Sequence, residues 1–148
     1  IQNKEGLLSH VSKALAPGGG LILADTLAGT RAPVNLPEIG SYTLPKDDYA
    51  RLFARHGLEI CACVDLSMEI ANFLVDPKLE TMLQREAQVA ANLGRGQDFE
   101  LAAAVQRSWD AFGDALREGL MLYVLIHARP AKPGAPVLDL NLSMLEAS

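Results

Sequence analysis

The sequence predicts an α/β fold, with amphipathic helices packed on an open sheet, and three stretches carry that prediction. Pro17 and Gly18 to Gly20 stop a helix, and Leu21-Ile22-Leu23-Ala24-Asp25 then reads as a buried strand ending on a carboxylate. Leu58 to Leu66 alternates in polarity, with Leu58, Ile60, Ala62, Val64 and Leu66 on one side and Glu59, Cys61, Cys63 and Asp65 on the other. Leu120 to Ala128, LMLYVLIHA, is apolar on both faces and therefore belongs between two other strands.

The elements between these strands have helical period. Ile1 to Ala16 puts Leu7, Leu8, Val11 and Leu15 on one stripe and starts with almost no cap, as a helix lying on a sheet would if it followed a strand further upstream. His10 falls off that stripe and reads as a solvated helix residue. Thr26 to Thr43 is rich in Gly and Pro and lacks a sustained period, so it is expected to be a long loop at the carboxyl end of the sheet. Asn35, Glu38, Tyr42 and Thr43 supply polar groups there. Pro45 opens a second helix, Tyr49, Leu52 and Phe53 face inward, and Gly57 closes it. From Ser67 to Glu118 the period is helical again: Leu79, Met82, Leu83, Ala90 and Leu93 form one stripe, Gly94 and Gly96 interrupt it, and Leu101, Val105, Trp109, Phe112 and Leu116 form another after Asp98. Pro130 to Pro136 reads as a linker, and Val137 to Ser148 as a tail able to serve as an edge strand, a docking segment or the start of a following domain.

Composition narrows the function. The chain has 148 residues, 49% of them apolar and 21% charged, as in a globular domain with a real core. A net charge of -5 and a pI near 5.1, with scattered basic residues, argue against a nucleic-acid partner. No run of 18 apolar residues and no leader pattern occurs, so the expectation is no membrane partner and a cytoplasmic location. Cys61 and Cys63, two apart in a strand, are poorly placed for a disulfide and read as small buried hydrophobes; no metal site is expected, for want of further spaced ligands.

The helix KEGLLSHVSKAL, the turn and strand APGGGLILAD and the later LPKDDYARLFARHGLEICACVDLS together resemble the C-terminal half of a class I S-adenosylmethionine-dependent methyltransferase, of the small-molecule or natural-product type with a helical lid insert. The resemblance covers roughly residues 1–130. It implies a Rossmann-like sheet whose last strand is antiparallel, with a helical insert at about 67–118 before that strand, and residues 131–148 as linker and tail. It also implies S-adenosylmethionine as cofactor, methylation of a small natural-product or sugar-like acceptor, foremost at oxygen, and an N-terminal half in the same or a separate chain. A homodimer is compatible with it. The glycine-rich cofactor loop and the acidic ribose-binding residue of the family would lie upstream of Ile1, so no cofactor-binding residue is named and the fragment is not expected to act alone. The alternative is a non-catalytic half-enzyme or assembly module of a multidomain synthase. A nicotinamide oxidoreductase fits less well, because no Tyr-x-x-x-Lys pair occurs.

Asp25 is the candidate catalytic residue, since ligands of open α/β sheets sit beyond the carboxyl ends of the strands; its competing role is to cap the following turn. The resemblance matches Asp25 to the carboxylate that pairs with a His in related O-methyltransferases, and that His would precede Ile1. Tyr42, Trp109 and Phe112 are candidate substrate-binding residues. By their spacing Trp109 and Phe112 read first as core of the helical insert and second as an apolar wall over a substrate, and it is the resemblance that favours the lid.

Overall fold

The structure, a computed structural model, describes residues 3–36, 41–79, 81–82, 84–85, 96–132 and 143–144. Its centre is a four-stranded sheet of β1 (Leu21–Ala28), β5 (Met121–Pro130), β4 (Leu58–Asp65) and β6 (Ser143–Met144), in that order. β5 is antiparallel to both β1 and β4, so the apolar run at its centre does lie between two strands and the last long strand does run against the others. β6 pairs in parallel with Val64 and Asp65, which makes part of the tail an edge strand.

Helix α1 (Lys4–Ala14) and helix α2 (Lys46–Arg55) pack on one face of this sheet. Leu8 of α1, Tyr49, Leu52 and Phe53 of α2, Leu27 of β1, Leu58 and Cys63 of β4 and Val124, Ile126 and Ala128 of β5 form the main core. At about 1.5–3 kcal/mol for each large side chain buried, this cluster supplies most of the driving force for the layer. Helix α3 (Ser67–Leu74) and helix α4 (Gly96–Arg117) cover the other face only at one end. Ala71, Ala115, Leu116 and Met121 form a second cluster there. Further along that face Ile22 and Leu125 stay exposed, at 72% and 37%.

Several sequence expectations need correction. α1 is capped: the Asn3 side chain accepts a hydrogen bond from the Gly6 N–H at 2.8 Å. β1 does not stop at Asp25 but continues to Ala28, because its register with β5 runs unbroken from Leu21 opposite Ala128 to Ala28 opposite Met121. The stretch expected to be one long loop contains a short hairpin, β2 (Val34–Leu36) with β3 (Ser41–Thr43), whose strands are too short to show a period. In β4 the ladder shifts between Ile60 and Ala62, which breaks the expected alternation. Cys63 thereby turns into the core at 2% exposure while Cys61 remains exposed, so only one of the two cysteines is buried. α4 starts at Gly96, where a break was expected. Helical residues also occur at 77–79, 81–82 and 84–85, whereas Leu83, Ala90, Leu93, Gly94 and Glu38 lie outside the described residues.

Candidate functional site

Asp25 occupies the fifth position of β1, opposite Val124, and its side chain points into the layer beneath α1 and α2. Strand alternation selects the direction: Leu23 and Leu27 share its face, and Leu27 is core. The carboxylate is 5% exposed. Its Oδ2 accepts from Lys4 Nζ at 2.5 Å and from the Tyr49 hydroxyl at 2.6 Å, and its Oδ1 accepts from the Thr26 N–H at 2.8 Å. Lys4 is 8% exposed and Tyr49 1%. Burial, with the Asp25 charge and its hydrogen bond next, pushes the Tyr49 phenol far above its ordinary range, so it stays protonated and donates.

Neither Lys4 nor Tyr49 was singled out as a site residue in the sequence. Tyr49 lies on the inward stripe of α2 and reads as core. Lys4 sits four residues before Leu8, on the buried stripe of α1, but a charged residue at that position counts as solvent-facing in any hydropathy pattern. The available signal was this spacing together with a carboxylate on the adjoining strand.

A second carboxylate lies on the same rung. Asp65, at the end of β4, is also opposite Val124. Its Oδ1 accepts from the Ser67 N–H at 2.9 Å and from the Ser67 hydroxyl, and Ser67 Oγ in turn accepts from the Tyr123 N–H at 2.9 Å. These bonds lock the turn into α3.

The aromatic candidates fall elsewhere. Phe112 of α4 packs on the second core cluster, its ring edge-on to Tyr123 with centroids 6.4 Å apart. Trp109, one turn earlier, is half-buried. Tyr42 of β3 is 54% exposed. Val34 and Leu36 of the hairpin pack on the same cluster as Phe112, so the hairpin that carries Tyr42 and the helix that carries Trp109 share one end of the molecule. The Asp25 side chain lies on the opposite face of the sheet from Tyr123 and so is not brought together with Phe112. A groove lined by Leu44, Asp48, Arg51, Ala54 and Arg55 holds none of the four candidates. No group of three or more potential metal ligands occurs among the described residues, and no described helix is long and apolar enough to cross a membrane.

The Pro17–Gly20 turn stands at the amino end of β1, away from the carboxyl end where cofactors of such sheets bind. It therefore serves to connect α1 to β1.

No family model matches the chain. Over 80 residues, 54% of its length, it is 35% identical to the polyketide synthase ThaQ of Burkholderia thailandensis, of which it covers 4%. Among solved structures, it is similar to the O-methyltransferase of a trans-AT polyketide synthase multienzyme of Brevibacillus brevis, determined with S-adenosyl-L-homocysteine. The likeness has 27% identity and a TM-score of 0.64, over 93% of this chain and 42% of that one. The StiE O-methyltransferase gives 27% identity and a TM-score of 0.62 over the same shares. The cyclopropane synthase MmaA2 of Mycobacterium tuberculosis, at 16% identity and a TM-score of 0.67 over 86% of this chain and 50% of that one, has the same fold. The chain spans less than half the length of those two O-methyltransferases. Over nearly its whole length it has the fold of a part of class I methyltransferases and is similar to O-methyltransferases, one of them from a polyketide synthase multienzyme.

Proposed function

We propose that the chain is the C-terminal part of an S-adenosylmethionine-dependent O-methyltransferase that acts on a small natural-product acceptor within a cytoplasmic polyketide assembly line. The observation that carries this reading is the likeness, over 93% of the chain, to an O-methyltransferase from a polyketide synthase multienzyme determined with S-adenosyl-L-homocysteine. The relationship to ThaQ supports the same setting. When bound, the cofactor supplies a methyl group on a sulfonium; on this reading the glycine-rich cofactor loop belongs to the N-terminal half and this chain contributes the acceptor side. Tyr42, Trp109 and Phe112 line the acceptor cavity, with residues of about 67–118 acting as its lid; Asp25, on the other face of the sheet, acts on the acceptor hydroxyl only through a proton-accepting group that the N-terminal half would bring between them.

The partner that brings the cofactor loop is the N-terminal half of the domain. β1 is the sheet edge it would meet. The Ala28 N–H leaves the β5 ladder to donate to the Leu44 carbonyl at 2.8 Å, and by the alternation of an antiparallel ladder Ile22 and Ala24 direct their N–H groups to that same outer side. The first half of that edge, Leu21 to Ala24, is apolar, carries no Lys, Pro or bulge and includes the exposed Ile22, which suits pairing with another strand.

Calorimetric titration with S-adenosylhomocysteine tests the reading. The chain alone is expected not to bind, and the chain co-expressed with the N-terminal half is expected to bind and to methylate a hydroxylated polyketide acceptor. Absence of binding by the assembled domain would instead favour a non-catalytic assembly module. In the assembled enzyme, Asp25→Asn is expected to lower turnover by about 10²–10⁴-fold with cofactor affinity nearly unchanged.

A further inference from the structure

Resting on the methyltransferase reading above, we propose that Lys4 and Tyr49 are positioning residues that hold the Asp25 carboxylate in one orientation. Three observations carry this. Lys4 is the first residue of α1, where the helix dipole opposes a positive charge, so neither helix stability nor solvation explains a lysine there. Its ammonium is nonetheless buried and donates to Oδ2 of Asp25 at 2.5 Å, and it also lies 5.5 Å from the centre of the Tyr49 ring. A buried ion pair is weak evidence for stability, because the desolvation of two charges offsets their attraction and an apolar pair of similar volume often serves as well.

What the arrangement does provide is direction. Lys4 approaches from α1 and Tyr49 from α2, and both converge on the same oxygen. The other oxygen is turned toward the Thr26 N–H. Donors from two helices and the strand itself leave the carboxylate one rotamer, as expected for a group that must orient another at fixed geometry.

Two measurements decide the matter, with Leu8→Ala as the control. Leu8 lies one turn along α1 in the main core and has no polar side-chain atom to offer Asp25. In this chain, three-bond couplings of the Asp25 side chain are expected to report a single χ1 rotamer in the wild type and in Leu8→Ala, and rotamer averaging in Lys4→Met. Unchanged couplings in Lys4→Met would overturn the proposal whatever the enzyme does. In the assembled enzyme, Lys4→Met is expected to lower kcat about 10–100-fold with KM for S-adenosylmethionine unchanged, Tyr49→Phe about 3–10-fold, and Lys4→Arg to recover most of the loss. A purely structural pair predicts that Lys4→Met and Leu8→Ala lose kcat alike, which would also overturn it. A wild-type assembly that does not methylate would sink the methyltransferase reading, and the rotamer measurement would then decide the positioning role alone.

Discussion

On one face of the central sheet, α1 and α2 seal Leu8, Leu27, Tyr49, Leu52, Phe53, Val124 and Ile126 from solvent; on the other, α3 and α4 cover the end at Met121 and Tyr123 and leave Ile22 and Leu125 open. The strands themselves do not account for the difference. Near their paired middle β1 and β5 offer apolar side chains to both faces, Leu23 and Ile126 to the sealed one and Ile22 and Leu125 to the open one, with Thr26, His127 and Arg129 also on the open side. The sealed face is a core built by α1 and α2, whereas the open face shows Ile22 and Leu125 to solvent. Stability measured on this chain therefore reports chiefly the sealed layer, and the proposed association with an N-terminal half would be read at the open one.

Substitutions on the two faces sharpen that contrast. Phe53→Ala empties a fully buried position beside Tyr49, whose ring centre is 5.3 Å away, and is expected to cost about 3–5 kcal/mol in urea unfolding of the chain. Asp25→Asn removes the countercharge of buried Lys4 and is expected to cost about 3 kcal/mol by the same assay, well above the small loss of a replaced turn cap. Phe112→Ala, at the partly covered end, is expected to cost about 2 kcal/mol and half-buried Trp109→Ala about 1 kcal/mol, scaled down from the fully buried case. A Trp109 effect as large as that of Phe53 would assign it to core and remove it from the acceptor wall.

The two cysteines divide the faces chemically. Burial, and after it the Asp65 charge, pushes the Cys63 thiol up to about 11, while Cys61 is exposed. An acid whose folded pKa is raised contributes stability that is fully present below its unfolded value, here 9.0, and is lost as pH rises through about 11. Alkylation at pH 8 is accordingly expected to modify Cys61 and spare Cys63, and thermal scans between pH 9 and 11 are expected to show falling stability in the wild type but less in Cys63→Ala. Equal labelling at pH 8 would contradict the burial of Cys63. The smallest effect is expected at Ile22: Ile22→Lys changes the stability of this chain by under about 0.5 kcal/mol, yet prevents association with the N-terminal half in a co-purification assay. Association that survives it would move the interface away from this edge.

Local sequence determined the kinds of element and their order. Apolar runs bounded by Gly and Pro specify strands at Leu21, Leu58 and Leu120, and the inward stripe of Tyr49, Leu52 and Phe53 specifies α2, because each depends on residues only a few positions apart. The central place of β5 was legible for the same reason, since a strand apolar on both faces needs covering on both. Tertiary contact decided the rest. β1 runs past Asp25 because β5 offers partners as far as Met121, and Cys63 turns inward because the ladder shifts at Ile60. The candidate site is a case of both: Asp25 was visible as a carboxylate in an apolar strand, but Lys4 lies 21 residues away and Tyr49 24. Only folding brings an ammonium and a phenol from two helices onto one oxygen, because a buried charge is tolerated where partners reach it in space, and spacing along the chain carries no record of that.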